Sequence, residues 1–204
     1  MTTMRKLPEA LDVDCVASLQ SEWTERWHRV EQAPTGEGFV GAVMLNHHFN
    51  FMLWHEEDIA RVDDDGAERV RLAKRRIDKF NQGRNDAMES VDDHLLTYLG
   101  ANGMDTQSRM HTETPGMIID RLSIIGLKHY HMAEEATRST ASNEHRDRCA
   151  ERVQILARQR SDLERALSEL IEDVLAGERH FRKYRQLKMY NDPQLNPQLY
   201  RTAR

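Results

Sequence analysis

Apolar residues return along this chain at steps of three and four, the pattern of helices that bury one side. Val16, Leu19, Trp23, Trp27 and Val30 form one such stripe and predict a first helix over about Asp12 to Val30, broken by Ala33-Pro34-Thr35-Gly36. A second helix covers roughly Glu37 to Arg61, as far as the polar turn Asp63-Asp64-Asp65-Gly66. The third runs from about Ala67 to Leu99 with Val70, Ala73, Ile77, Phe80, Ala87 and Val91 as its core stripe. A loop through Thr112-Glu113-Thr114-Pro115 leads to a fourth helix ending near Arg138, and the fifth spans about Glu144 to Ala176. In the fifth, Cys149, Val153, Leu156, Arg160, Leu163, Leu167, Leu170 and Val174 alternate four- and three-residue steps, which is a bundle seam.

Helices joined by short links predict an all-α protein, an antiparallel bundle of about five main helices in one domain, 1–204, with its core at about 10–177. After Gly177 the pattern predicts a short helix and then an extended, Pro-containing C-terminal tail around Pro193 and Pro197.

Two helices depart from simple amphipathicity. Leu45–Asp58 and Met117–His131 are apolar on nearly every side, as buried helices are, yet each carries a row of polar side chains. Buried polar groups must be paired or must do chemistry. At about 100° per residue the second helix aligns His47, Phe51, Trp54, His55 and Asp58, with Asn46, Asn50 and Glu57 beside them. The third sets Arg84 in the middle of its core stripe and Asp78, Asn81, Asn85 and Asp92 on the shoulder. The fourth places Asp120 and His131 on one side and Arg121 and Lys128 on the next. One unpaired buried polar group costs about 1–3 kcal/mol, and a domain is stable by only about 5–15 kcal/mol. A dozen such groups must therefore form a network or open onto a pocket.

Arg84 and Arg160 stand where their helices ask for leucine. Either each reaches an edge or a carboxylate such as Asp58, Asp78 or Asp120, or they form a cationic pocket with Lys128 for a phosphate or carboxylate. The candidate ligand-binding set is Asn50, His55, Asp58, Asp78, Asn81, Arg84, Asn85, Asp120, Lys128 and His131, closed by Asn191 and Asp192 from the tail. His131 or His55 could act as a general base, with Asp120 or Asp58 fixing its tautomer, while Ser123 and Cys149 carry no activation signal as nucleophiles.

Charge and composition narrow the classes. The net charge of −5 argues against a general nucleic-acid binder. It is unevenly spread: residues 178–204 hold seven Lys or Arg against Glu178 and Asp192, +5, leaving −10 on the rest. Such a tail would dock on its own acidic body or meet an anionic surface. Two cysteines are too few for a disulfide scaffold. The first residues lack the apolar core of a signal peptide, and Asn46, His47, His48 and Asn50 interrupt the longest apolar stretch. The chain reads as cytoplasmic, with no transmembrane segment.

Ten histidines raise a metal bundle as a third reading. Glu25 and His28 match the Glu-x-x-His spacing of di-iron bundles, but a second such motif is missing. His55 with Asp58, and His131 with Glu134 or Glu135, could each share a helix face. No metal ligand set and no cofactor motif is assigned.

Several of these segments resemble an uncharacterised bacterial family, domain of unknown function 4254. The resemblance lies in Leu53-Trp54-His55-Glu56-Glu57-Asp58-Ile59-Ala60-Arg61, in Ile77-Asp78 with Asn81-Gln82 and Arg84-Asn85-Asp86, and in Ile119-Asp120-Arg121-Leu122-Ser123-Ile124 with Leu127-Lys128 and Tyr130-His131-Met132. Lys188-Met189-Tyr190-Asn191-Asp192-Pro193 with Leu195-Asn196-Pro197 completes it, over roughly residues 10–200. The resemblance implies a setting among glycosyltransferase and lipopolysaccharide genes, and no catalytic assignment. Two readings follow: a pocket for a small anionic ligand, a sugar-phosphate or sugar-nucleotide of cell-envelope glycan metabolism, or a non-catalytic partner of an envelope-biosynthesis enzyme. The second predicts a dry, fully paired network and an exposed apolar patch, with Trp23, Trp27, Tyr184, Tyr190 and Tyr200 as its candidates.

Overall fold

The computed structural model describes residues 7–62, 66–101, 104–187 and 194–197. Among the described residues five helices carry the fold: α1 (Val16–Trp27), α2 (Gly38–Ala60), α3 (Gly66–Ala101), α4 (Pro115–Thr137) and α5 (Asn143–Leu175). A 3-10 turn at Glu9–Leu11 precedes α1, and two short strands, β1 (Arg109–His111) and β2 (Arg179–Phe181), pair in parallel.

Cross-helix contacts fix the directions. Asn46 meets Arg84 and Glu56 meets Arg76, so residue numbers fall on α3 as they rise on α2, and the two are antiparallel. Arg84 with Asp120 and Asp92 with Gly116 make α4 antiparallel to α3. Arg160 on Ala17 and Ser168 on Asp14 run α5 against α1. Thr24 with His47 and His28 with His55 show α1 and α2 running the same way. The link 28–37 makes that possible: ten extended residues span roughly 33 Å, and a twelve-residue helix is only about 18 Å long. Thus α1, α2 and α4 point in one direction and α3 and α5 in the other.

The helices are the ones the hydrophobic pattern predicts, with α1 shorter at both ends. At its start the Asp14 amide donates to Asp12 Oδ1, 2.9 Å, holding 12–15 in a turn. Thr114 caps α4, its side chain accepting from the Met117 amide, with Pro115 in the first turn. Gly177, at φ +77°, ends the run after α5 in a conformation that favours glycine. The main core joins Val43 of α2, Val91 and Leu95 of α3, Ile118 and Leu122 of α4, and Leu163, Leu167 and Leu170 of α5. A second cluster packs Trp23 and Trp27 against Met44, Phe51 and Leu127. α2 lies between the two, which is why it is apolar all round. Gly116 lets α3 and α4 approach closely: a Cβ there would stand 2.5 Å from the Met88 carbonyl oxygen.

The segment after α5 differs from the expected short helix. Residues 179–181 extend as β2, burying Phe181 completely and His180 nearly so. Adjacent side chains of a strand point to opposite faces, so burial of both means that β2 is covered on each side. Lys183 then reaches Asp93 at 2.6 Å, and the Gln186 amide donates to Glu89 at 2.8 Å. Among the described residues no helix is long and apolar enough to cross a membrane.

Candidate functional site

The polar row of α2 is buried among α1, α3 and α4. Asp120 of α4, 3% exposed, is its anchor. Arg84 grips it with two hydrogen bonds, Nε to Oδ1 at 2.8 Å and Nη2 to Oδ2 at 2.6 Å. Asn46 and Asn50 each donate to the same Oδ1 at 2.9 Å. Of the three carboxylates expected for Arg84, Asp120 is the partner, and these bonds hold the guanidinium more firmly protonated than usual. Arg160 takes the bland course, donating to the Ala17 carbonyl at 2.6 Å and to Glu164 at 3.0 Å.

The network continues through His47, which no solvent reaches. Its Nε2 lies 2.9 Å from Thr24 Oγ1, and Thr24 spends its own proton on the Gln20 carbonyl. His47 Nε2 must therefore carry the ring proton, so Nδ1 accepts from Ser123 Oγ at 2.8 Å. Ser123 accepts in turn from Asn50 at 3.0 Å. Burial pushes the His47 pKa down to about 3, keeping the ring neutral. Ser123 and His47 form a hydroxyl–imidazole pair, but both are fully buried, and the pair serves architecture. Gln20 and Thr24 were not foreseen. On the sequence they are two polar residues of α1; in the fold Thr24 accepts from His47, and the Gln20 side chain donates to the Ile119 carbonyl at 3.1 Å.

One side of this network opens. A cleft of about 460 Å³ between α2, α3 and α4 is lined by Asn50, Leu53, Trp54, Glu57, Asp58, Arg61, Asn81, Arg84, Ile124, Leu127 and Lys128. Five of the expected residues line it: Asn50, Asp58, Asn81, Arg84 and Lys128. Asp120 lies behind them, bonded to Arg84 and Asn50. The Arg84 side chain is 28% exposed and keeps Nη1 outside its ion pair. Lys128 and Asp58 are exposed, and Arg61 pairs with Glu57 at 3.2 Å.

The remaining candidates lie elsewhere. Asp78 pairs with Lys74 at 2.7 Å, and Asn85 is half-buried outside the cleft lining. Asn191 and Asp192 fall outside the described residues, as do Tyr190 and Tyr200. His131 does not take its tautomer from Asp120; its Nδ1 bonds Glu134 at 3.0 Å, because Asp120 is committed to Arg84 some three turns away. His131 and His55 sit instead with His28 at the C-terminal ends of α1, α2 and α4, ligand atoms within 4.8 Å of one another. Among the described residues these three are placed to share a metal ion. Trp23 and Trp27 are corrected as well: each is only 7% exposed, packed in the second core, so neither forms a docking patch.

Residues 41–183 match the family model described as a protein of unknown function, DUF4254. No curated protein and no solved structure matches the chain. The match covers more than half of the sequence, and the chain belongs to that family.

Proposed function

We propose that this member of the DUF4254 family binds a small phosphorylated sugar or sugar-nucleotide in the cleft between α2, α3 and α4. The observation that carries the reading is the cleft's mixed lining. Lys128 and the free edge of Arg84 suit phosphate oxygens, Asp58 and Asn81 suit sugar hydroxyls, and Trp54, Leu53 and Ile124 offer an apolar wall. A volume of about 460 Å³ fits a ligand of that size. Arg84 also arrives preorganised, since Asp120 fixes the guanidinium before any ligand binds. Cell-envelope glycan metabolism is the setting in which such ligands would be met.

A thermal-shift titration with hexose phosphates and nucleotide sugars tests this. Bound ligand at a hundredfold excess over Kd adds about 2.7 kcal/mol of stability. The expected result is a saturable rise in Tm that Lys128→Ala removes while leaving the unliganded Tm unchanged. No rise with either ligand class, or a rise indifferent to Lys128→Ala, overturns the reading.

The partner-protein reading draws on a different surface. Tyr184 and Leu187 are exposed, Leu187 at 84%, on the segment that follows β2. Pull-down of an envelope enzyme that fails with Leu187→Asp, with no small-molecule shift, would favour it.

A further inference from the structure

We propose that His28, His55 and His131 form a binding site for a divalent transition-metal ion, zinc in the first instance. The inference stands apart from the cleft ligand, since the ion would bind with or without it.

Hydrogen bonding at the second ring nitrogens carries the argument. His28 Nδ1 lies 2.7 Å from the Thr24 carbonyl oxygen, which can only accept, so the proton is on Nδ1 and Nε2 is a bare lone pair. His131 Nδ1 faces the Glu134 carboxylate at 3.0 Å, with the same consequence. Both Nε2 atoms are buried and have no hydrogen-bond partner. Imidazoles that ligate metals almost always donate their other N–H to a carbonyl or carboxylate, which fixes the ring and raises its basicity. Here two rings are set that way before any ion arrives.

The three rings come together from separate helices: His28 caps α1, His55 lies near the end of α2, and His131 near the end of α4. Centroids stand 5.0 Å apart for His28 and His131, 5.3 Å for His28 and His55, and 5.9 Å for His55 and His131. Ligand atoms within 4.8 Å of one another could surround one ion, each moving inward by about 0.7 Å to reach the roughly 2.1 Å of a zinc–nitrogen bond. Other buried atoms without partners, such as Trp27 Nε1 and His48 Nδ1, are single, and an indole N–H cannot ligate. Only here among the described residues do two orphaned lone pairs meet a third histidine.

The surroundings suit the role. Tyr130 stacks on His28 at 4.4 Å and Trp54 on His131 at 4.7 Å, and Phe51 stands edge-on to His55, so the rings are held in an aromatic shell. Burial, with the neighbouring imidazoles, holds His55 and His131 below the ordinary histidine pKa, in the neutral form that ligates. Asp58 and Glu134 act on both rings as nearby negative charge. Three histidines leave a zinc ion one position for water or a ligand oxygen. Trp54 and Asp58 belong also to the cleft lining, so the ion would stand beside the proposed ligand site.

The test uses tag-free, chelator-treated full-length protein titrated with Zn²⁺ by calorimetry and with Co²⁺ by visible absorption. One equivalent should bind, with a nitrogen-ligated cobalt spectrum that zinc displaces. His55→Ala and His131→Ala should each remove stoichiometric binding, and Glu134→Gln should weaken it about tenfold. His145→Ala, in the separate His145–Cys149 contact, should leave it unchanged. Should a histidine variant fail to fold, imidazole nitrogen resonances of the native protein decide: zinc must shift Nε2 of His28 and His131. No stoichiometric binding, binding that survives both alanine variants, or unmoved Nε2 signals overturn the site.

Discussion

Two groups of polar side chains share α1, α2 and α4, and they differ in how their hydrogen bonds are spent. Around Asp120 every buried group but Asn46 Oδ1 is bonded: two asparagines and an arginine converge on one carboxylate, and His47 uses both ring nitrogens. Further along the same helices, His28 and His131 each keep a buried nitrogen with no partner. A satisfied network sets helix register and direction; an unsatisfied cluster is held open for something else. Burial is common to both. The difference lies in unused valence.

The sharpest way to break this contrast is at Arg84. Arg84→Leu leaves Asp120 as a buried charge without its cation and should cost about 3–5 kcal/mol in urea unfolding. Arg84→Leu combined with Asp120→Leu should recover part of that loss. A single variant as stable as the native protein would remove Asp120 from its place as anchor.

Acidity probes the same network. The His47 pKa falls from 6.5 unfolded to about 3 folded, so its stabilising share is whole above 6.5 and drains as pH falls towards 3. Asp92, which accepts from the Gly116 amide, has the opposite sign: burial, opposed by bonds from Thr114 and Gly116, raises it from 3.8 to about 6. Its share is present below 3.8 and lost as pH rises through 6. Each contributes a slope of about 1.4 kcal/mol per pH unit inside its window. Between pH 4 and 6 the two oppose each other. Asp92→Asn should therefore steepen the loss of stability on acidification by about 2–3 kcal/mol across that range, measured as urea midpoints. An unchanged profile would count against the assigned charge states.

Smaller effects belong to the open cluster. His131→Leu should change metal-free stability by less than about 1 kcal/mol in either direction, because it removes an orphaned group along with its bond to exposed Glu134. A loss as large as that of Arg84→Leu would make the histidines architectural too. Smallest is Lys128→Ala, within about 0.5 kcal/mol by the same unfolding assay, since Lys128 is exposed.

The bundle was legible because each helix buries a stripe, and its ends carry Pro115, Gly177 or a polar run. β1 and β2 were not, since three-residue strands leave no period to read, and the segment after Gly177, expected to begin as a short helix, extends instead and pairs through its backbone with β1. Arg84 announced itself as a cation in an apolar stripe, and its partner was among three named acids. His28 was noticed only for a spacing to Glu25 that the structure does not use. Convergence of three helix ends is a tertiary fact, and no interval along one helix encodes it. Asn50, Asp58, Asn81 and Lys128 meet at one cleft because α2 and α4 run in the same direction beside α3.

The parallel pairing of β1 with β2 has a practical corollary. It staples together the two stems from which the α4–α5 hairpin springs. The connection 138–142 at the hairpin's far end is largely exposed. Severing the backbone there would give two pieces, each with one strand of the staple and one helix of the pair. The first would retain every cleft residue and all three clustered histidines, and the second would supply Leu163, Leu167 and Leu170 to the shared core. Co-expressed as two fragments cut there, the halves should reassemble through the strand pair and the shared leucine core, and co-purification checks it.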